Sequence, residues 1–154
     1  MINANKQKLQ DFFQGNLQFE IPFFQRAYVW SKDNWAIFWD HLIGEVDAYE
    51  NDIQSEHFIG TVITKQKENK NLSENIVELI DGQQRITTIT VFLKALADTS
   101  KGDLPNLKES IESLLWFKDS YSKKHYRMIH SRIDKPNFHQ IMETPENIDD
   151  QDNS

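Results

Sequence analysis

The spacing of apolar side chains divides the chain into short segments of two kinds. Ile76-Val77-Glu78-Leu79-Ile80 is β-branched and apolar and predicts a buried strand. Immediately after it, Ile86, Ile89, Leu93 and Leu96 recur at steps of three and four, which predicts an amphipathic helix from Gln83 to about Asp98. Upstream, Leu9, Phe12 and Phe13 predict a short helix over 6–14 that Gly15 ends. Leu17, Phe19 and Ile21 alternate with Gln18 and Glu20 as a half-buried strand closed by Pro22. From 33 to 49, with Ser31 as N-cap, Trp35, Phe38, Trp39, Leu42, Val46 and Tyr49 keep helical spacing, the ordinary inner face of a core helix.

The second half continues the alternation. Residues 57–66 read as a strand in which Gly60 marks a bulge or a close backbone approach. The polar stretch 67–75 makes a loop, and the two strands around it suit an antiparallel hairpin. Residues 99–103 break the chain, and Leu107, Ile111, Leu114, Leu115 and Phe117 predict another helix. Alternation over 126–133 predicts a strand. Asp134-Lys135-Pro136 then opens a last helix carrying Phe138, Ile141 and Met142. The expected fold is α+β, a small mixed or antiparallel sheet flanked by helices, spanning residues 1–142. Residues 143–154 are expected to be an acidic polar tail or the start of a further region.

Composition narrows the classes. With 38% hydrophobic residues, 10 Phe, 4 Trp and 4 Tyr, the chain can fill a real core. It has no cysteine, which excludes a disulfide framework, thiolate catalysis and cysteine-bound zinc. With no signal peptide or apolar span in the sequence, the expected location is cytoplasmic, away from membranes. The formal charge of −7 argues against a whole-surface nucleic-acid binder. It is uneven, however: residues 118–135 carry six Lys/Arg against two Asp, a local +4. Lys123, Lys124, Arg127 and Arg132 are the candidate contacts to a nucleic-acid backbone, the alternative being a solvated face.

The sharpest chemistry lies where the strand period gives way to the helix period, at Asp81-Gly82-Gln83-Gln84-Arg85. The first N–H groups of a helix lack intrahelical partners and sit at its positive dipole end, so such a corner suits a phosphate. Gly82 allows close approach, and Arg85 offers a fork of donors. Asp81 and Gln84, three apart, also make a capping box that would only satisfy backbone groups. There is no glycine loop of the P-loop kind with its lysine. A second irregular segment, Ile21-Pro22-Phe23-Phe24-Gln25-Arg26-Ala27-Tyr28-Val29-Trp30, mixes aromatics with Gln and Arg and is where binding groups tend to lie. Its Arg26 could instead pair with Glu20, and Tyr28 and Trp30 could instead be core.

The two motifs, in this order and with Phe58-Ile59-Gly60 between them, resemble the N-terminal domain of the DUF262 family, the GmrSD-type and SspE-like restriction proteins of bacterial phage defence. That family's fold is similar to the ParB/sulfiredoxin superfamily. The resemblance covers about residues 9–142. It implies a domain that binds and hydrolyses a nucleoside triphosphate with Mg²⁺ and couples this to sensing or cutting modified foreign DNA. By position, Asp81, Gln84, Arg85, Gln25 and Arg26 would be the catalytic set, with Asp81 also on the metal. Gly82, Gln83, Thr87, Thr88 and Tyr28 would bind the nucleotide, although Thr87 and Thr88 suit helix packing equally well. Longer members continue into a helical region and an HNH-type nuclease domain or partner. No such motif occurs here: His125, His130 and His139 lie in a basic stretch without its surroundings, and the chain is expected to be part of a longer protein. The alternative is a non-catalytic DNA- or partner-binding module of the same fold.

Overall fold

The computed structural model describes residues 4–53, 56–67, 75–100 and 105–143. Its elements run α1 (Leu9–Phe12), β1 (Gln18–Glu20), α2 (Lys32–Glu50), β2 (Ile63–Gln66), β3 (Ile76–Asp81), α3 (Gln83–Thr99), α4 (Pro105–Leu115), β4 (Trp116–Lys118), β5 (Lys124–Tyr126), β6 (Met128–Ile129) and α5 (Lys135–Glu143). The class is α+β, as expected. Four strands form a mixed sheet in the order β2-β3-β1-β6, and β4 pairs with β5 in a separate ribbon.

β1 is the axis of the sheet. It runs parallel to both neighbours, with Phe19 opposite Val77 of β3 and Met128 of β6. Parallel neighbours cannot be joined by tight turns, so the helices are crossovers. Three strands therefore end on the same edge: β1 at Glu20, β3 at Asp81 and β6 at Ile129. The amides of Phe19 and Ile21 donate to Arg127 O at 2.6 Å and to Ile129 O at 2.9 Å, which locks that alignment. β2 runs antiparallel to β3, as the hairpin pattern implied.

The core sits between the sheet, α3, the end of α4 and α5, with Phe13 after α1 closing it. Phe19, Leu79, Ile86 and Leu115 are fully buried there, with Phe13, Ile89, Met128, Phe138 and Met142 around them. Phe12 stacks on Phe19 at 4.3 Å and Phe13 meets it edge-on at 5.9 Å, so the short first helix closes the sheet's end.

Several elements depart from the sequence reading. The first helix keeps one turn, Leu9–Phe12. Of 57–66 only Ile63–Gln66 pairs, because Gly60 at φ +105° turns the preceding residues off the sheet. The fourth helix stops at Leu115, so Phe117 lies in β4 against β5. The strand expected over 126–133 splits between β5 and β6, which belong to different sheets. The aromatic stripe of α2 is not core: none of its residues is fully buried, and Trp39 and Tyr49 are 52% and 83% exposed. Trp35 and Phe38 are half-buried, edge-on to each other and to Trp30, and Phe38 and Trp39 both meet Phe92 of α3 edge-on. Ser31 does cap α2, in a reciprocal box with Asn34. The stretches 68–74, 101–104 and 144–154, read above as loop, break and tail, lie outside the described residues.

Candidate functional site at the carboxyl edge of the parallel strands

Ligands of parallel sheets sit beyond the carboxyl ends of the strands. Here that edge gathers three segments. The loop 22–30 leaves β1, the Asp81–Arg85 corner leaves β3, and 130–134 leaves β6.

At the corner, Gly82 is the N-cap of α3, with φ +88°. A Cβ there would stand 3.1 Å from Val62 Cγ2 and 3.3 Å from Thr61 O, so both conformation and space demand glycine. The capping box between Asp81 and Gln84 does not form. Asp81 Oδ1 accepts from the adjacent Gly82 amide at 2.9 Å, and Gln84 turns away to the loop. Among the described residues no side chain caps the helix, which leaves its first N–H groups to whatever occupies the edge.

The loop 22–30 is fastened to the corner by amide side chains. Gln25 Nε2 donates to Ile80 O at 3.1 Å, and Gln83 Nε2 donates to Gln25 Oε1 at 2.8 Å. Gln84 uses both ends, donating to Ala27 O at 3.1 Å and accepting from Val29 N at 3.0 Å. The hydroxyls of Tyr28 and Thr88 meet at 2.8 Å, while Thr88 Oγ1 donates to Gln84 O at 2.9 Å, so Tyr28 is the donor of that pair. Burial raises the Tyr28 pKa, which keeps the phenol protonated. A further anchor is Tyr28 N, which donates to Asp134 Oδ2 at 2.8 Å.

Arg85, on the first turn of α3, lies flat against Gly60. A Cβ on Gly60 would be 2.6 Å from Arg85 Cζ, and Arg85 Nη1 donates to Thr61 O at 2.9 Å. The close approach foreseen at Gly60 is thus the approach of this guanidinium. Gly60→Ala is expected to displace Arg85 and to lower stability by about 1–2 kcal/mol, because φ is positive there as well. A urea titration checks it, and an unchanged midpoint would contradict the contact.

The site residues therefore divide. Gln83 and Gln84 meet Gln25 and its loop, Asp81 bonds to the adjacent Gly82 amide, Arg85 lies instead on Gly60 and Thr61, and Arg26 is exposed on the fastened loop. Glu20 is taken by Lys67, not by Arg26. Thr87 and Thr88 are buried with inward bonds, so of their two readings they take the packing one. Tyr28 and Trp30 are half-buried against Thr88 and Trp35 and belong to neither the core nor the open surface. His57 lies 3.2 Å from Glu45. Lys123, Lys124 and Arg132 are exposed. Arg127 is not: it is 5% exposed, its Nε donates to Ser113 O and its Nη1 to Gly15 O, so it ties elements together and does not face a ligand.

Sequence reasoning missed the third wall. His130 and Ser131, just past β6, are buried, and His130 Nδ1 and Ser131 Oγ have no partner among the described residues. His130 Nε2 stands 3.4 Å from Thr87 Oγ1, and its ring lies 4.0 Å from that of Phe138. The only available signal was polar residues ending an apolar run. Burial pushes the His130 pKa down to about 4. The unfolded imidazole takes its proton near pH 6.5, and the folded one only near 4. Stability is therefore expected to fall as pH drops from 6.5 towards 4, and that part of the slope should vanish in His130→Phe. Chemical denaturation across that range checks it.

Taken together, this is a mixed α+β domain whose edge holds an uncapped helix start, a glycine-seated arginine and a glutamine-fastened loop. Residues 9–154 match the family described as GmrSD restriction endonuclease, N-terminal domain, and the chain belongs to that family. The match runs past 143 through the acidic tail. No curated protein matches the chain. Membership sets the protein in a restriction system, that is, in phage defence. Among the described residues no helix is long and apolar enough to cross a membrane.

Proposed function

We propose that the corner binds and hydrolyses a nucleoside triphosphate and that this serves as the sensing step of a modification-dependent restriction system. The observation that carries the reading is the convergence of Gln25 with Ile80 and Gln83, and of Gln84 with Ala27 and Val29. These bonds hold the Arg26 loop against the uncapped start of α3. In this reading the α3 amides and Arg85 take phosphate oxygens, with Arg26 reaching from the loop. Gln25 and Gln84, whose amides are engaged with backbone, are positioning residues. Asp81 is exposed with one oxygen on the Gly82 amide. Among the described residues no group of three or more His, Asp or Glu is placed to hold an ion by itself. A lone carboxylate fits Mg²⁺, which binds through one or two carboxylates plus phosphates and water. Mg²⁺ arriving with the triphosphate would neutralise charge on the transferring phosphoryl group. Phosphate release, measured with several nucleotides and Mg²⁺ on the folded chain, tests the proposal. No release above buffer from any of them would reject it.

A second reading is favoured by a separate observation. Lys123, Lys124 and Arg132 are exposed on the basic stretch of an otherwise acidic chain, as a nucleic-acid contact requires. In that reading the domain binds DNA without hydrolysis, and a nuclease domain or partner does the cutting.

A further inference from the structure

A concavity of about 520 Å³ lies between β5, β6 and α5; it shares His130 with the edge described above and includes none of residues 81–85. Its size suits a small organic group. Among the described residues, Lys123, Lys124 and Lys135 stand on its lining with a single carboxylate, Glu143, which accepts from the Tyr126 hydroxyl. Lys124 Nζ also lies 4.6 Å over the Tyr126 ring. The rim is therefore positive on a chain of charge −7. The floor is of another character: Met128, Phe138 and Met142 are buried and apolar, and His130 is 6% exposed with Nδ1 unpartnered among the described residues. An uncompensated buried ring nitrogen calls for an occupant or a water. A phosphate alone would use the rim and leave the apolar floor and His130 unmatched. A base alone would leave the lysines unmatched.

We propose that this groove takes one unstacked nucleotide of a nucleic-acid strand, its phosphate on the lysine rim and its base on the apolar floor, hydrogen-bonded to His130 Nδ1. Single strands are read in this way, by charge along the backbone and by flat or apolar surfaces under the bases. The inference rests on the nucleic-acid reading above and is independent of hydrolysis at the corner.

Fluorescence anisotropy on the full chain tests it, with a short labelled oligothymidine, a duplex of the same length and free thymidine monophosphate as competitor. The single strand should bind more tightly than the duplex, with affinity falling steeply in salt. Lys123→Ala/Lys124→Ala should weaken both and flatten the salt response. His130→Phe removes the orphan nitrogen, with a somewhat larger ring and without the Nε2 contact to Thr87 Oγ1, so its melting curve is taken alongside. The substitution should cost the single strand about tenfold, the worth of one hydrogen bond, and leave the duplex unchanged. Should His130→Phe misfold, His139→Glu, at an exposed lining position, supplies the second variant and should repel the strand. Direct contact would also move the His130 imidazole ¹⁵N signal on addition of the strand.

No binding by any nucleic acid would overturn both this inference and the reading it rests on. Salt-dependent binding that treats single strand and duplex alike and ignores His130→Phe would overturn the inference alone, with a water as the orphan's partner. Thymidine monophosphate binding as tightly as the strand would overturn the strand as source and leave a free nucleotide.

Discussion

Arg85→Ala is expected to cut nucleotide-dependent phosphate release about a hundredfold or more, as loss of a positioned arginine does at other phosphoryl-transfer sites. The size of the effect follows from how the side chain is held. Arg85 is half-buried on the first turn of α3, seated on Gly60 and bonded to Thr61 O at 2.9 Å. Its guanidinium is thus fixed before any ligand arrives, which spares the ordering cost at the moment of reaction. Arg85→Lys keeps the charge but not the planar fork that lies against Gly60, so it should recover little of the rate. Folding should survive both changes, because the side chain touches the outside of the strand–helix corner and not the core. Release that is unchanged in a folded Arg85→Ala protein would remove the arginine, and with it the hydrolysis reading.

The corner was legible in the sequence because two periods collide there. Val77 and Leu79 bury on one face of a strand, and Ile86 and Ile89 bury on one face of a helix. Only a short turn can connect those two patterns. What the sequence hid was the destination of polar side chains. Gln84 reads as a cap partner because it stands three residues after Asp81, yet its amide bonds to residues 27 and 29, from across the sheet. Spacing along a chain carries no record of which loop the topology lays beside it. The same limit applies to α2, where helical spacing is real but the facing surface is not. Trp39, Ile43 and Val46 keep the pattern of a buried face and remain open. Ridges of apolar residues show that a face could be covered, not that this domain covers it. The ribbon of β4 and β5 was hidden for a different reason. Trp116 and Phe117 continue the apolar spacing of α4, and only their pairing with Tyr126 and His125 makes them strand.

Arg127→Ala is expected to destabilise the domain by about 3 kcal/mol, a large share of the roughly 5–15 kcal/mol that holds a domain of this size. As a sequence position it sits among Lys123, Lys124 and Arg132 and reads as one more phosphate contact. In the fold it is a buried tie. Its Nε bonds to Ser113 O near the end of α4, and its Nη1 bonds to Gly15 O after α1. Its guanidinium lies 5.2 Å over the Phe117 ring, and its backbone O accepts from Phe19 on β1. Burial lowers its pKa, but a guanidinium keeps its proton in proteins, so its bonds are charge-assisted. Alanine would leave two carbonyls without their donor and a space where the side chain packed. Arg127→Met restores much of that volume but neither bond, and should recover about a third of the loss. The urea midpoint measures both changes. Strand affinity, taken at a temperature where each variant is folded, should not change with Arg127 and should fall with Lys123→Ala/Lys124→Ala, whose own urea midpoint stays put. The reverse pattern, a stable Arg127→Ala protein that has lost its affinity for the strand, would put this guanidinium on the surface and undo the link it makes between α4, the Gly15 turn and the middle strand of the sheet.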